Sequence, residues 1–119
     1  MKSVVFALSL FALSAFTPLV AQNPKLDFTL LNRTGLTISE LYVSPTNVDD
    51  WEEDVLGRDV LKHGESVDIE FSRSEKSCMW DLKIVDAEGD AVEWDNLDLC
   101  KAAHITLQYE GGRATAVIK

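Results

Sequence analysis

A small antiparallel β-sandwich of about seven strands, with one short helical turn and one disulfide, is the fold this sequence predicts. Three observations carry the prediction. Apolar residues recur at every second position in several short runs, as they do in strands with one buried face. The gaps between the runs are short and carry Gly, Asn or Asp, the residues that tight antiparallel turns need. The chain has 119 residues, enough for one hydrophobic core and too few for two. An open barrel is the second architecture that the same pattern allows.

The chain opens on an address rather than on a fold. Met1-Lys2 is followed by an almost wholly apolar stretch from Val4 to Phe16, then by Pro18 and the small residue Ala21 before Gln22. A positive start, an apolar run and a small-residue exit describe a secretory signal peptide over 1–21, leaving 22–119 as a single domain. Ser9, Ser14, Thr17 and Pro18 interrupt the run and argue against a stable membrane anchor. No Cys adjoins the exit to accept a lipid, and there is no paired Arg for the twin-arginine route. The expected location is therefore outside the cytoplasm, either periplasmic or secreted.

In the mature part the first strand is read from Leu26, Phe28 and Leu30, alternating with Asp27 and Thr29. Asn32-Arg33-Thr34-Gly35 is the turn that follows it. Between Leu36 and Val43 the alternation changes phase, since Leu36 and Ile38 share one parity and Leu41 and Val43 the other. A bulge near Glu40 reconciles them. Asn47 then reads as an N-cap, with Asp49, Asp50, Glu52 and Glu53 where a helix dipole favours acids and Gly57 as a stop, so the helical turn is expected near Asp49–Leu56.

His63-Gly64 precedes a third strand, in which Val67, Ile69 and Phe71 alternate with Asp68 and Glu70. Trp80, Leu82 and Ile84 define the fourth, with Trp80 expected in the core. A turn at Ala87-Glu88-Gly89-Asp90 separates it from the fifth. Ile105, Leu107 and Tyr109 define the sixth, and Glu110-Gly111-Gly112 joins it to the last. Cys78 and Cys100 are the two cysteines, and export would place them where disulfides persist, so they are expected to pair with each other.

Charge and motifs exclude more than they select. Eleven Lys and Arg against twenty Asp and Glu give a net charge of −9, which repels phosphate backbones and rules out nucleic acid as a partner. No serine lies in a nucleophile elbow, no phosphate-binding or dinucleotide glycine pattern is present, and two histidines without short spacing do not make a transition-metal site. No catalytic residue is assigned, and the chain is not expected to be an enzyme. A small hydrolase or lyase is the least favoured class.

Acids fill five of the six positions from Asp49 to Asp54, and Asp86 and Asp90 flank a hairpin tip. Loops of this kind can hold calcium, so Asp49, Asp50, Asp54, Asp86 and Asp90 form the one candidate metal set and calcium the one candidate cofactor. Asn32-Arg33-Thr34 matches a glycosylation acceptor, although turn chemistry explains the same residues. Tyr42, Trp51 and Trp94 are the candidate partner surface, aromatic groups beside acids that would suit a protein or other ligand bearing positive charge. The leading expectation is a non-catalytic, envelope-associated binding module, and the alternative is a calcium-binding sandwich.

Several pieces also carry a resemblance. They are Asn32-Arg33-Thr34-Gly35, Leu41-Tyr42-Val43-Ser44-Pro45, Trp51-Glu52-Glu53-Asp54-Val55-Leu56-Gly57, Cys78-Met79-Trp80-Asp81-Leu82-Lys83 and Asp98-Leu99-Cys100. In these the chain resembles a family of small exported proteins of unestablished function. Some members of that family carry an argininosuccinate lyase label. That enzyme is much longer and mainly helical, and its Gly-Ser-Ser signature loop is absent here, so the resemblance implies no substrate or catalytic residue.

Overall fold

The structure, a computed structural model, describes residues 25–71 and 75–119. The expected signal peptide lies outside the described residues. Seven strands form two sheets: β1 (Phe28–Arg33), β2 (Ile38–Pro45), β3 (Ser66–Ile69), β4 (Met79–Asp86), β5 (Ala91–Asp98), β6 (His104–Glu110) and β7 (Arg113–Ile118). One sheet has the order β3-β1-β6-β7 and the other β2-β4-β5. Every pair is antiparallel except β1 with β6, which run parallel with Leu30 beside Ile105 and Asn32 beside Leu107. Local alternation is blind to that pairing, because the two strands are distant in sequence.

The core lies between the sheets. Phe28, Leu30, Ile69, Ile105 and Leu107 enter from one side, and Leu41, Trp80, Leu82, Ile84, Trp94 and Leu97 from the other. Leu26, Leu56, Leu61, Phe71 and Leu99 close it from the connections. Two irregularities keep the apolar residues facing inward. The register of β2 slips between Ile38 and Glu40, at the phase change read in the sequence, so Ile38 and Leu41 are both fully buried. On β5 the slip falls opposite Asp81, where Asn96 takes a left-handed φ of 60° and donates its N–H to Asp81 Oδ1 at 3.0 Å. Strict alternation from Trp94 would have turned Leu97 outward, and the bulge returns it to the core.

The expected helical turn near Asp49–Leu56 does not form. A one-turn 3-10 helix is found instead at Leu99–Lys101, with the Asp98 carboxylate accepting from Cys100 N–H. The connection from Asn47 to Leu61 lies along the free edge of β2, and that edge takes the bonds a helix would need. Val55 N–H, which in a helix would reach Trp51 C=O, bonds Leu41 C=O at 2.8 Å. Asp54 Oδ1 accepts from the Leu41 and Leu56 N–H groups, and Ser44 Oγ donates to Asp50 C=O. Ile38 and Leu61 then exchange both backbone bonds at 2.9 Å. Exposed strand edges invite pairing with other chains, and here the connection itself occupies the edge.

Cys78 and Cys100 are disulfide-bonded across 22 residues, with Cα atoms 5.1 Å apart. The bridge ties the start of β4 to the 3-10 turn, beside buried Trp80, whose Nε1–H donates to Ser77 C=O at 2.7 Å. No helix among the described residues is long and apolar enough to cross a membrane.

Candidate functional site

The outer face of the β2-β4-β5 sheet places Tyr42 directly opposite Lys83. The Lys83 ammonium lies 5.0 Å from the Tyr42 ring centre and 5.1 Å from that of Trp51, which the β2–β3 connection lays over the same face. Both aromatics are half-buried, and both are already engaged with a cation of the chain itself. Tyr42 Oη also donates to Glu40 Oε1. That bond, then desolvation, then the charges of Glu40 and Asp54 raise the Tyr42 phenol above its ordinary value of 10.0.

Trp94, the third aromatic expected on a partner surface, is only 4% exposed. Its indole N–H donates across the sandwich to Thr115 C=O at 2.7 Å, which ties the edge strand β5 to the edge strand β7. It is a core residue and offers nothing to a partner.

The candidate calcium ligands do not come together. Asp54 is spent on the β2 edge, and Asp86 is 8% exposed, with Oδ1 accepting from the Glu88 and Asp90 N–H groups to shape the β4–β5 hairpin. Asp49 and Asp50 are exposed on the connection, and Asp90 sits in the hairpin. Among the described residues the one cluster of three metal-capable side chains is Cys78, Asp98 and Cys100, whose two sulfurs are bonded to each other.

The glycosylation reading of Asn32 also fails, because its side chain has no exposed surface. Asn32 Nδ2 donates to Leu36 and Leu61 C=O at 2.8 and 2.9 Å, and Oδ1 accepts from Thr34 N–H and the Thr34 hydroxyl. The turn chemistry is present, but the residue does more than turn the chain. It pins the β1–β2 turn to the segment that pairs with Ile38. Its even-numbered parity with Phe28 and Leu30 is the sequence signal of an inward side chain.

Folding also builds a feature that no single motif announced. Between the β2 and β3 edges lies a crevice of about 210 Å³, with Val43, Val55, Ile69, Phe71 and Trp80 among its lining residues and four carboxylates, Glu52, Glu53, Glu70 and Glu75, around it. The acids come from two distant segments. The apolar groups belong to the rim of the core, where Phe71 packs edge-on to Trp80 with ring centres 4.9 Å apart.

No protein-family model matches the chain, and no curated protein matches it. An NMR structure of a protein from Eubacterium rectale is similar, with a TM-score of 0.53 and 15% identity over 77% of this chain and 85% of that one. At that identity the likeness concerns the fold alone. Fold and site together define a disulfide-bridged, all-β sandwich with an acid-lined crevice at one open side.

Proposed function

We propose that the protein is an exported, non-catalytic binding module whose acid-lined crevice receives a cationic group on an apolar stem, such as a lysine side chain of a partner protein. The observation that carries this reading is the pairing of Glu52, Glu53 and Glu70 with the accessible apolar surface of Val43 and Val55, floored by the buried rings of Phe71 and Trp80. An aliphatic ammonium has the same two-part character, since its methylenes favour apolar contact while its head favours carboxylates. The disulfide supports export, because such bonds persist in oxidising compartments.

A titration of tetralysine against the purified protein tests the proposal, read by amide chemical shifts at matched ionic strength. Tetralysine is expected to bind saturably, and the E52Q/E53Q/E70Q variant to bind at least tenfold more weakly. E93Q/D95N, which removes two exposed acids elsewhere, is the control for general attraction to an acidic chain. Equal binding by all three proteins would remove the crevice as the site. Turnover of a small substrate, lost on changing one polar residue, would overturn the non-catalytic class.

A further inference from the structure

We propose that the outer face of the β3-β1-β6-β7 sheet carries a second, independent site, a groove that binds a hydroxylated carboxylate through Arg33, Arg113 and His63. The groove measures about 590 Å³ and is lined by Arg33, His63, Gln108, Glu110, Arg113 and Thr115, none of which belongs to the acidic crevice. Clefts that hold small molecules run from ~300 to ~1,000 Å³.

Strand register assembles it. Arg33 lies beside Gln108 in the parallel β1–β6 pair, Gln108 faces Thr115 across β6–β7, and Glu110 faces Arg113 at the end of that hairpin. Leu30 and Asn32 fill the inner face of β1 and Ile105 and Leu107 that of β6, so Arg33 and Gln108 stand on the outer face. His63 arrives from the turn before β3 and is held there by Gly35 N–H, which donates to its Nδ1 at 2.9 Å. With Nδ1 accepting, the neutral ring carries its proton on Nε2, a further donor.

The charges point to the ligand. Acids outnumber bases twenty to eleven along the chain, yet neither arginine makes an ion pair among the described residues, where the pair that does form is Lys101 with Asp98. Two guanidinium groups against the single carboxylate of Glu110 leave one positive charge in the groove. A monoanion balances that charge, and a phosphate dianion would exceed it. Arginine forks match a carboxylate with two parallel hydrogen bonds. The Thr115 hydroxyl donates to Gln108 Oε1 at 3.4 Å, which leaves the Gln108 amide N–H groups for hydroxyls of the ligand. Repulsion by the remaining negative charge is screened over ~8 Å at physiological salt, so the local groups decide.

Amide chemical shifts followed during titration with sodium gluconate test this, with sodium butyrate, phosphate and chloride in parallel. Gluconate is expected to move Gly35, Gln108 and Thr115 saturably and to bind more tightly than butyrate or phosphate. R33Q and R113Q should each weaken it about tenfold or more, while their melting temperatures stay close to wild type because both side chains are exposed. A response to gluconate no different from chloride would overturn the site. So would wild-type affinity in both variants. Tighter binding of phosphate would overturn the monoanion assignment, and equal binding of butyrate would overturn recognition of the hydroxyls.

Discussion

Asn32 is a fully buried amide, and its burial is tolerable because both ends of the amide are satisfied. Replacement by Ala would leave the Leu36 and Leu61 carbonyls and the Thr34 N–H without partners, at a cost of about 3 kcal/mol. Asn32→Asp is the sharper test. It preserves shape and the acceptor for Thr34 but sets a carboxylate oxygen against two carbonyls. Chemical denaturation should find Asn32→Asp at least as damaging as Asn32→Ala; a near-neutral aspartate would refute the assigned donors. Tyr42 makes a pH-dependent contribution. Its folded value is raised, so its stabilisation is complete below the unfolded value of 10.0 and is lost as pH rises through the folded one. The difference in phenolate absorbance between wild type and Tyr42→Phe should therefore titrate above 10.0. A midpoint at or below that value would show that the bond to Glu40 is not made in solution.

Among the elements, the connection along the edge of β2 has the most to explain. Its acids resemble a helix start, and the propensity reading is locally sound. What that reading lacks is the neighbouring strand edge, whose Leu41 N–H and C=O need partners as much as a helix does. Asp54 meets one of these needs and Val55 the other. Asp54→Ala is expected to cost about 2 kcal/mol, the range for a hydrogen bond to a charged group, and to speed hydrogen exchange at the Leu41 amide. Unchanged exchange at Leu41 would contradict the capped edge. The strands themselves were legible wherever one face is buried, as at Trp80, Leu82 and Ile84, and the bulge in β2 was legible from its change of parity. Trp94 was expected on a partner surface and is buried instead, because its burial depends on contact with β7 in the other sheet, which a linear reading does not show.

At the scale of the molecule, the crevice and the groove escape a linear reading for one physical reason. Each gathers residues from segments distant in sequence: packing of the two sheets brings Glu52 near Glu70, and strand pairing through β6 brings Arg33 near Arg113. The disulfide was legible because two cysteines allow one internal pairing. By the chain-entropy model its loop contributes about 3 kcal/mol, so C78A/C100A should lower the free energy of unfolding by roughly that amount. No loss on removing the bridge would mean that the sandwich does not depend on it.

The central claim is that the acidic face binds through its crevice rather than through charge spread over the whole surface. Intermolecular nuclear Overhauser effects between tetralysine and the protein test it most directly. The account predicts contacts from lysine methylenes to the methyl groups of Val43 and Val55, with the ammonium groups beside Glu52, Glu53 and Glu70. Contacts confined to the Glu88–Asp90 hairpin, or spread evenly over exposed acids, would contradict it.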